Sequence, residues 1–224
     1  MEQRNGHDYK NRTTLYHLTT FKNIPNILLY GLQSRFALKS GEYQGALQCD
    51  VADKDIINYR EKNDLTHYIP FHFLMHSPFA GDVMNDIFNK DEIFVYIVLK
   101  RSYARAHNFK IIPKHPMCKE YKDQGGPDIY DYDDGMEIID WDNMNKRDFR
   151  DYDSKIACLA ECISDEPLNI IKMLYERNVS FAVKNEKEKE QLMNLCINCC
   201  EESCINKFNK DFFQDHIWVS HKFF

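Results

Sequence analysis

The sequence predicts a single α+β domain spanning residues 1–224. The chain is 43% hydrophobic and 13% aromatic, which is enough for one sizeable core and excludes a disordered chain. Segments typical of strands and of helices follow one another, and neither an internal repeat nor a clear linker interrupts them. Residues 94–99 are apolar on both faces, as expected of a central strand in a sheet.

The first elements are a strand and a short helix. Residues 15–19 are typical of a strand, and residues 23–31 are typical of a helix with one apolar stripe. We expect Asn23 to cap the start of this helix, Pro25 to occupy its first turn and Gly31 to end it.

The remaining elements follow from hydrophobic periodicity and from turn signals. Periodicity is weak between residues 101 and 154, so this stretch is assigned no regular element. The other predicted segments are, in order, a mobile loop at 34–45, a helix at 51–60, strands at 68–75, 92–100 and 156–163, a helix at 168–177, a strand at 179–183, a helix at 186–208 and a last strand at 216–224.

The predicted strand at 156–163 contains one carboxylate, Glu161, between otherwise apolar faces. A lone ionised carboxylate in such a strand costs several kcal/mol unless it is paired, lines a cleft or is protonated. This favours a glutamate with a function. The alternative is a glutamate at a strand end that faces solvent, because the polar residues 164–167 follow at once. The local pattern leaves both interpretations open.

The net charge of −6 argues against a generic binder of polyanions, but the charges are unevenly placed. Residues 100–122 carry seven basic side chains against one acid, and residues 123–153 carry eleven acids against three basic residues. Aromatic residues interleave with the basic ones, as in segments that track single-stranded nucleic acid. The basic stretch could equally pair with the acidic stretch beside it, and composition favours this second interpretation.

Four of the eight cysteines cluster at Cys196, Cys199, Cys200 and Cys204. A Cys-x-x-Cys pair suggests zinc, but no second pair or histidine follows at a standard spacing, so small side chains on a packing face of a helix are favoured. Reduced thiols, the lack of an apolar run long enough for a membrane span and an N-terminus without a hydrophobic core predict a soluble, cytoplasmic protein.

Three groups of segments, in a fixed order, carry a resemblance to a known family. They are Leu-Tyr-His-Leu-Thr at 15–19 with 23–28 and Tyr-Gly-Leu at 30–32; the stretch from 51 to Arg60 with Tyr-Ile-Pro-Phe-His-Phe at 68–73 and Ser-Pro at 77–78; and Ala-Glu at 160–161. Together with the ending at 216–224, they resemble the DarT-type ADP-ribosyltransferase toxins, which transfer ADP-ribose from NAD to bases of single-stranded DNA. The resemblance implies an ADP-ribosyltransferase fold, with a central mixed or antiparallel sheet flanked by helices.

The resemblance implies that Glu161 is the catalytic glutamate and that Arg60 is the active-site arginine. Breaking the bond between nicotinamide and ribose builds positive charge at the anomeric carbon, which a carboxylate near the 2′-hydroxyl can stabilise. Arginine, with a pKa above about 12, is an unusual base. It could instead stabilise the anionic form of the target base through a charged hydrogen bond. Without the resemblance, the local sequence predicts that Arg60 is a solvated residue of a helix.

The resemblance implies that six residues bind the co-substrate NAD: His17, Thr19, Gly31, Leu32, Phe73 and Ser77. His17, supported by Thr19, would bond the ribose on the adenosine side. Gly31 and Leu32 would offer backbone groups to the nicotinamide amide. Phe73 and Ser77 would line the nicotinamide side. The chemistry needs no metal, and the sequence has no Gly-x-Gly-x-x-Gly motif of a Rossmann crevice. From the residues alone, His17 is more simply a core histidine.

The resemblance says less about the target and the partners than about the catalytic and NAD-binding residues. Residues 101–154, which hold the base-reading loop in this family, match poorly, and His72 and Phe79 replace the family's Tyr and Met. Retention of Arg60 favours an acceptor with an acidic ring N–H, so thymine is preferred over guanine. DNA is the target that the resemblance implies, and transfer to RNA stays open, because the reactive base is presented single-stranded in either case. The implied partners are single-stranded DNA and a macrodomain antitoxin of the DarG type. The chain is expected to be a monomer that does not bind membranes.

Two other classes of function stay open. An inactive nucleic-acid-binding relative need not keep Glu161, Arg60 and His17, and all three are present. A nuclease toxin could use histidines as acid–base pairs. The four histidines available for that role form no recognisable motif: His72, His76, His107 and His115. A product that carries the mass of ADP-ribose, rather than a shortened oligonucleotide, would exclude the nuclease.

Overall fold

One eight-stranded sheet lies at the centre of the structure, a computed structural model that describes residues 8–40, 43–86, 91–202 and 209–220. Its strands are β1 (Thr14–Thr20), β2 (Ile69–His72), β3 (Phe94–Lys100), β4 (Lys110–Ile112), β5 (Tyr130–Asp131), β6 (Glu161–Ser164), β7 (Val179–Val183) and β8 (Ile217–Val219). In the described ranges the order across the sheet is β5-β4-β6-β2-β1-β3-β7-β8. Neighbouring strands are antiparallel except β7 and β8, which are parallel.

Helices pack on both faces of this sheet. They are α1 (Ile24–Tyr30), α2 (Arg35–Lys39), α3 (Lys54–Lys62), α4 (Pro78–Asn85), α5 (Arg101–Ala106), α6 (Lys119–Gln124), α7 (Tyr132–Ile138), α8 (Trp141–Lys146), α9 (Tyr152–Ala157), α10 (Ile170–Tyr175), α11 (Glu186–Glu202) and α12 (Lys210–His216). The main core lies on the face of Leu15, Ile97 and Phe181, against α1, α10 and α11. A smaller core packs α4 against β1 and β3. The predicted α+β fold with a mixed sheet is therefore confirmed. No helix of the described residues is long and apolar enough to cross a membrane.

The ends of α1 are set by Pro25 and Gly31, as predicted. Pro25 occupies the first turn, and Gly31 has a φ of 81° and a ψ of 170°, an extended backbone conformation with positive φ that glycine adopts readily and that cannot continue the helix. A Cβ atom at Gly31 would lie 2.7 Å from the backbone oxygen of Leu168, so the position also requires glycine for space. Asn23 was predicted to cap α1, but its side chain makes no capping bond and reaches a neighbouring loop instead.

The strand predicted at 156–163 is wrong in its first half. α9 occupies Tyr152–Ala157, because Asp151 caps it by accepting a 2.9 Å hydrogen bond from the amide of Ser154. The Ser154 hydroxyl in turn donates to the carbonyl of Asn143 and fixes the helix to α8. β6 therefore begins at Glu161, which is only 6% exposed. The alternative of a glutamate facing solvent is wrong.

The stretch at 101–154, to which no regular element was assigned from the sequence, does form helices and strands, although each is short. It holds α5, β4, α6, β5, α7 and α8 and the first turn of α9, and each complete element has seven residues or fewer. Helices of two turns or less show too few repeats for periodicity to be visible. For the same reason α2 was missed inside the predicted loop at 34–45. Of the last predicted strand, at 216–224, residues 217–219 form β8, His216 instead ends α12, and residues 221–224 lie outside the described ranges.

The basic and acidic stretches pair with each other, as composition favoured. The Nε of Arg105 lies 2.8 Å from a carboxylate oxygen of Asp133, and Lys110 pairs with Asp131. Arg101 is buried and unavailable to a polyanion. The ion-pairing interpretation is confirmed for these residues.

Two cysteines of α11, Cys196 and Cys199, pack towards the main core. Cys196 is fully buried in the main core, and Cys199 packs partly against it. The predictions for Cys204 and for the side chain of Cys200 lie outside the described residues. In the ranges that the structure describes, no three His, Cys, Asp or Glu side chains cluster in a way that could hold a metal ion.

Candidate active site

A cleft opens in the sheet where β1 and β2 diverge. These two strands share one register pair, Tyr16 with His72, whereas β1 and β3 stay paired over all seven residues of β1. Beyond that pair lies a cavity of about 810 Å³. Leu18 and Thr19 line it from β1, and Pro70 lines it from β2. The volume is in the range of sites that hold cofactors and drug-sized ligands.

A buried ion pair joins Arg60 of α3 to Glu161 of β6 on the wall of this cavity. The Nη1 of Arg60 donates to both carboxylate oxygens of Glu161, at 3.1 and 2.9 Å, and its Nη2 donates to the carbonyl of Leu65 at 3.3 Å. The two residues are 8% and 6% exposed. Charged hydrogen bonds of this kind offset much of the cost of burial. Arg60 is therefore not the solvated helix residue that its local sequence suggests.

Three neutral imidazoles surround the pair. The Nδ1 of His17 donates to the Pro70 carbonyl at 2.8 Å, and burial lowers the pKa of His17 to about 4. Burial also lowers the pKa of His115 to about 4, although the nearby charge of Glu161 opposes it. His72 lies opposite Glu161 in the β2–β6 ladder, and burial lowers its pKa as well. Near neutral pH these rings can accept or donate hydrogen bonds without adding charge.

Asn23 ties the loop that covers the cleft to the end of β1. Its Nδ2 donates to the hydroxyl of Thr19 at 3.1 Å and to the carbonyl of Cys49 at 2.7 Å. Its Oδ1 accepts from the backbone amides of Gln48 and Cys49. Thr19 was expected to support His17, but its hydroxyl is bonded to Asn23. The side chain of Asn23 thus fixes one wall of the cavity rather than the start of α1.

Six of the eight predicted site residues line the cavity: Glu161, Arg60, His17, Thr19, Gly31 and Leu32. The role implied for Leu32 needs correction, because its amide donates to the carbonyl of Leu168 at 2.9 Å and its carbonyl accepts from the Leu168 amide at 3.0 Å. Its backbone is therefore committed to a bridge within the protein, and it can offer a ligand little more than its side chain.

Phe73 and Ser77, the other two, do not line the cavity. Phe73 is fully buried, packs edge-on against Trp141 and lies under the guanidinium of Arg101 at 4.8 Å. Ser77 is the N-cap of α4 and accepts from the Ala80 amide at 3.2 Å. Side chains alternate between the two faces of an extended chain, so the residue that faces the cavity here is the neighbour of Phe73, His72. That alternation was visible in the sequence and could have identified His72.

The sequence comparison assigns the chain to a family. A family model described as "ssDNA thymidine ADP-ribosyltransferase, DarT" matches residues 16–198. The chain belongs to the DarT family. This match confirms the prediction of a DarT-type ADP-ribosyltransferase of single-stranded DNA. No curated protein matches the chain in sequence.

Solved DarT structures share the fold. The DarT of Thermus sp. 2.9 in complex with ADP-ribosylated ssDNA aligns with a TM-score of 0.64 at 13% identity, over 95% of this chain and 96% of that one. The same protein in complex with NAD+ aligns with a TM-score of 0.63 at 12% identity, over 96% and 98%. A Thermosipho africanus DarTG in complex with ADP-ribose aligns with a TM-score of 0.58 at 18% identity, over 90% of this chain and 51% of that one.

Proposed function

We propose that this chain cleaves NAD and joins ADP-ribose to thymine in single-stranded DNA, with Glu161 and Arg60 as its catalytic residues. The observation that carries the proposal is their buried ion pair on the wall of the one cleft that opens between β1 and β2 in the described sheet. A charge pair of this kind is costly to keep in a core without a purpose. The family's description names the reaction, and the pair supplies residues suited to it.

Glu161 would act on the sugar. The nicotinamide–ribose bond breaks through a transition state that is positive at the anomeric carbon. A carboxylate held by Arg60 and by the start of β6 can bond the 2′-hydroxyl and stabilise that charge without moving. Fixed groups of this kind lose no energy to reorganisation during the reaction.

Arg60 would act on the acceptor. A guanidinium has five N–H donors, and Glu161 and Leu65 use three of them here. The remaining donors can bond the oxygen atoms of a thymine whose ring proton passes to water as the new bond to the anomeric carbon forms and nicotinamide leaves. Because Arg60 stays protonated, it favours the anionic base by charge rather than by removing the proton itself.

NAD would lie along the cleft, with its adenosine side near His17 and the loop held by Asn23. His17 keeps one bond to Pro70 and can offer its other ring nitrogen to a ribose hydroxyl. The wall at Gly31 is close-packed and would bring the ligand near the backbone. Phe73 and Ser77, which lie off the cavity, are left out of this assignment.

Known relatives support the partners that we propose. The Thermus sp. 2.9 DarT has been solved with NAD+ and with ADP-ribosylated ssDNA, and a Thermosipho africanus DarTG with ADP-ribose. We propose single-stranded DNA as the target, RNA or guanine as less favoured acceptors, and a macrodomain antitoxin as the partner. We further propose that residues 1–224 form one domain, which acts as a monomer in the cytoplasm.

The test is one incubation with NAD and matched single-stranded DNA and RNA oligonucleotides that contain each base, read by mass. We expect the mass of ADP-ribose on thymine-containing DNA, and we expect Glu161→Gln to lower the rate by on the order of a hundredfold or more. Transfer to RNA alone would overturn the choice of target, and a fully active Glu161→Gln variant would overturn the site. No transfer to any oligonucleotide by the folded protein would overturn the function.

A further inference from the structure

Two aromatic rings stack on each other next to the cavity, and the proposed chemistry uses neither of them. Phe36 of α2 and His67, in the turn between α3 and β2, have ring centres 3.9 Å apart and planes tilted by 32°. Phe36 is 49% exposed, and the side chain of His67 is 46% exposed. The two rings, called here the Phe36–His67 platform, therefore leave aromatic surface open to solvent.

The backbone fixes both rings in place. The amide of Phe36 donates to the carbonyl of Thr66 at 3.0 Å, which ties α2 to the turn that carries His67. Ser34 caps α2 by accepting a 3.3 Å hydrogen bond from the amide of Ala37. Side chains on a fixed backbone lose less conformational freedom when a ligand binds, so the platform is preorganised.

The same turn also holds Arg60, the residue that we assign to the acceptor. The carbonyl of Leu65 accepts from the Nη2 of Arg60 at 3.3 Å, and the amide of Leu65 donates to the carbonyl of Arg60 at 2.8 Å. Arg35 and Tyr68, which adjoin the two platform residues in sequence, line the cavity, whereas the platform residues do not. The platform therefore lies at the rim of the cleft, close to the acceptor side of the site.

We propose that the Phe36–His67 platform stacks a base of single-stranded DNA that is next to the modified thymine. The proposal rests on the proposed function, in which Arg60 contacts the acceptor. A thymine that enters the cleft must leave the stack of its strand, so the faces of its neighbours are uncovered outside the cleft. Exposed aromatic side chains at the rim can cover one of these faces.

The charges near the platform indicate that it acts by stacking rather than through phosphates. Lys39 of α2 pairs with Glu61, and Arg35 pairs with Asp50. Cations that already have a carboxylate partner attract the DNA backbone less. Stacking releases few counterions and every base has an aromatic face, so the contribution of the platform should depend little on salt or on the identity of the neighbouring base.

The test uses three DNA oligonucleotides that each contain one thymine. In the first, both neighbours of the thymine are intact; in the second the 5′ neighbour is abasic, and in the third the 3′ neighbour is abasic. Transfer of ADP-ribose is read by mass at saturating NAD. The measurement gives kcat/KM for each oligonucleotide with the wild type, Phe36→Ala, His67→Ala and Phe36→Trp.

We expect each alanine variant to lose about tenfold in kcat/KM on the intact oligonucleotide, because the neighbouring base loses its stacking partner. The wild type should lose a similar factor on one of the two abasic oligonucleotides, and on that one the alanine variants should equal the wild type. Phe36→Trp, which keeps a ring, should stay close to the wild type on the intact oligonucleotide.

Two further readouts separate stacking from other effects. The KM for NAD should be unchanged in all variants, which also shows that they fold. The loss in the alanine variants should be the same at about 50 and about 200 mM salt, since contacts to phosphates would weaken over this range.

Tyr175→Ala is the matched control, because it removes an aromatic ring that is 72% exposed and lies outside the cavity. It should change none of these values. No loss in either alanine variant, an equal loss on all three oligonucleotides, or a loss that disappears at the higher salt concentration would overturn the platform. A wild-type protein that transfers nothing to any oligonucleotide would instead contradict the proposed function, so the two failures are distinguishable.

Discussion

At the scale of single residues, the site depends on two charges that each need the other. Arg60 and Glu161 are almost entirely removed from water, and their three shared and neighbouring hydrogen bonds replace the lost solvation. Removing one partner would leave the other as a buried, uncompensated charge. The proposed catalytic pair should therefore also stabilise the fold, and its structural and catalytic roles can be separated by measurement.

Arg60→Ala should lower the free energy of unfolding by about 3–5 kcal/mol, because it leaves the Glu161 carboxylate buried without a partner. Replacing both residues with methionine should restore much of this loss without restoring activity. Urea denaturation followed by circular dichroism gives the comparison. Lys39→Ala is the control, since its ion pair with Glu61 is about half exposed and should contribute less than about 1 kcal/mol. Equal losses in Arg60→Ala and Lys39→Ala would contradict the prediction.

At the scale of elements, α7 lies so close to the sheet that one of its positions has no room for a side chain. A Cβ atom on Gly135 would lie 2.3 Å from the Cβ of Ile111 on β4, which is fully buried. Gly81 of α4 offers the opposite case, because a Cβ there would meet nothing within 4 Å. Alanine substitutions at these two helical glycines therefore allow the effect of helix propensity to be measured apart from the effect of packing.

Gly135→Ala should destabilise the protein by about 1–3 kcal/mol, because α7 must shift away from β4. Gly81→Ala should stabilise it by roughly 0.5–1 kcal/mol, because alanine loses less backbone entropy in a helix. Thermal and urea unfolding of the two variants beside the wild type would measure both. If both variants moved stability in the same direction, close packing at Gly135 would not be the determining effect.

Comparison of the predicted and observed elements shows which parts of the fold and of the site could be predicted from the sequence. β1, β3 and β7 are long enough for alternation or uniform burial to show, and each was predicted within two residues of its ends. Glu161 and Arg60 were assigned through family resemblance, since no local pattern could bring together residues 101 positions apart. The part of the chain between β3 and β6 was missed because its elements are short and are stabilised by caps such as Asp151 and by tertiary contacts. His72 and Phe79 were noticed only as departures from the family, because their contact forms between separate elements.

At the scale of the whole molecule, two histidines link stability to pH. The pKa of His17 and that of His115 are each about 4 in the folded protein, against 6.5 when unperturbed. Between these values the unfolded chain binds more protons than the folded one. The free energy of unfolding should therefore fall as the pH drops from about 6.5 towards 4, and His72, whose pKa is also lowered, adds to the same trend.

Each of these two histidines should contribute on the order of 1–3 kcal/mol to this loss, since both line a cavity that water can enter. Urea titrations at pH 7, 6 and 5 would measure the slope. In the variant His17→Gln/His115→Gln the slope should be shallower by up to two protons. A variant that lost stability as steeply as the wild type would show that carboxylates elsewhere control the acid response.

The distance between Arg60 and Glu161 along the chain also affects when the enzyme can first act. The two residues are 101 positions apart, so a ribosome that adds about 5–20 residues per second makes the glutamate roughly 5–20 s after the arginine. β6, which carries Glu161, must then insert between β4 and β2, both made earlier. Throughout that interval the nascent chain holds only one residue of the proposed catalytic pair, so under the proposed function its activity begins only late in synthesis.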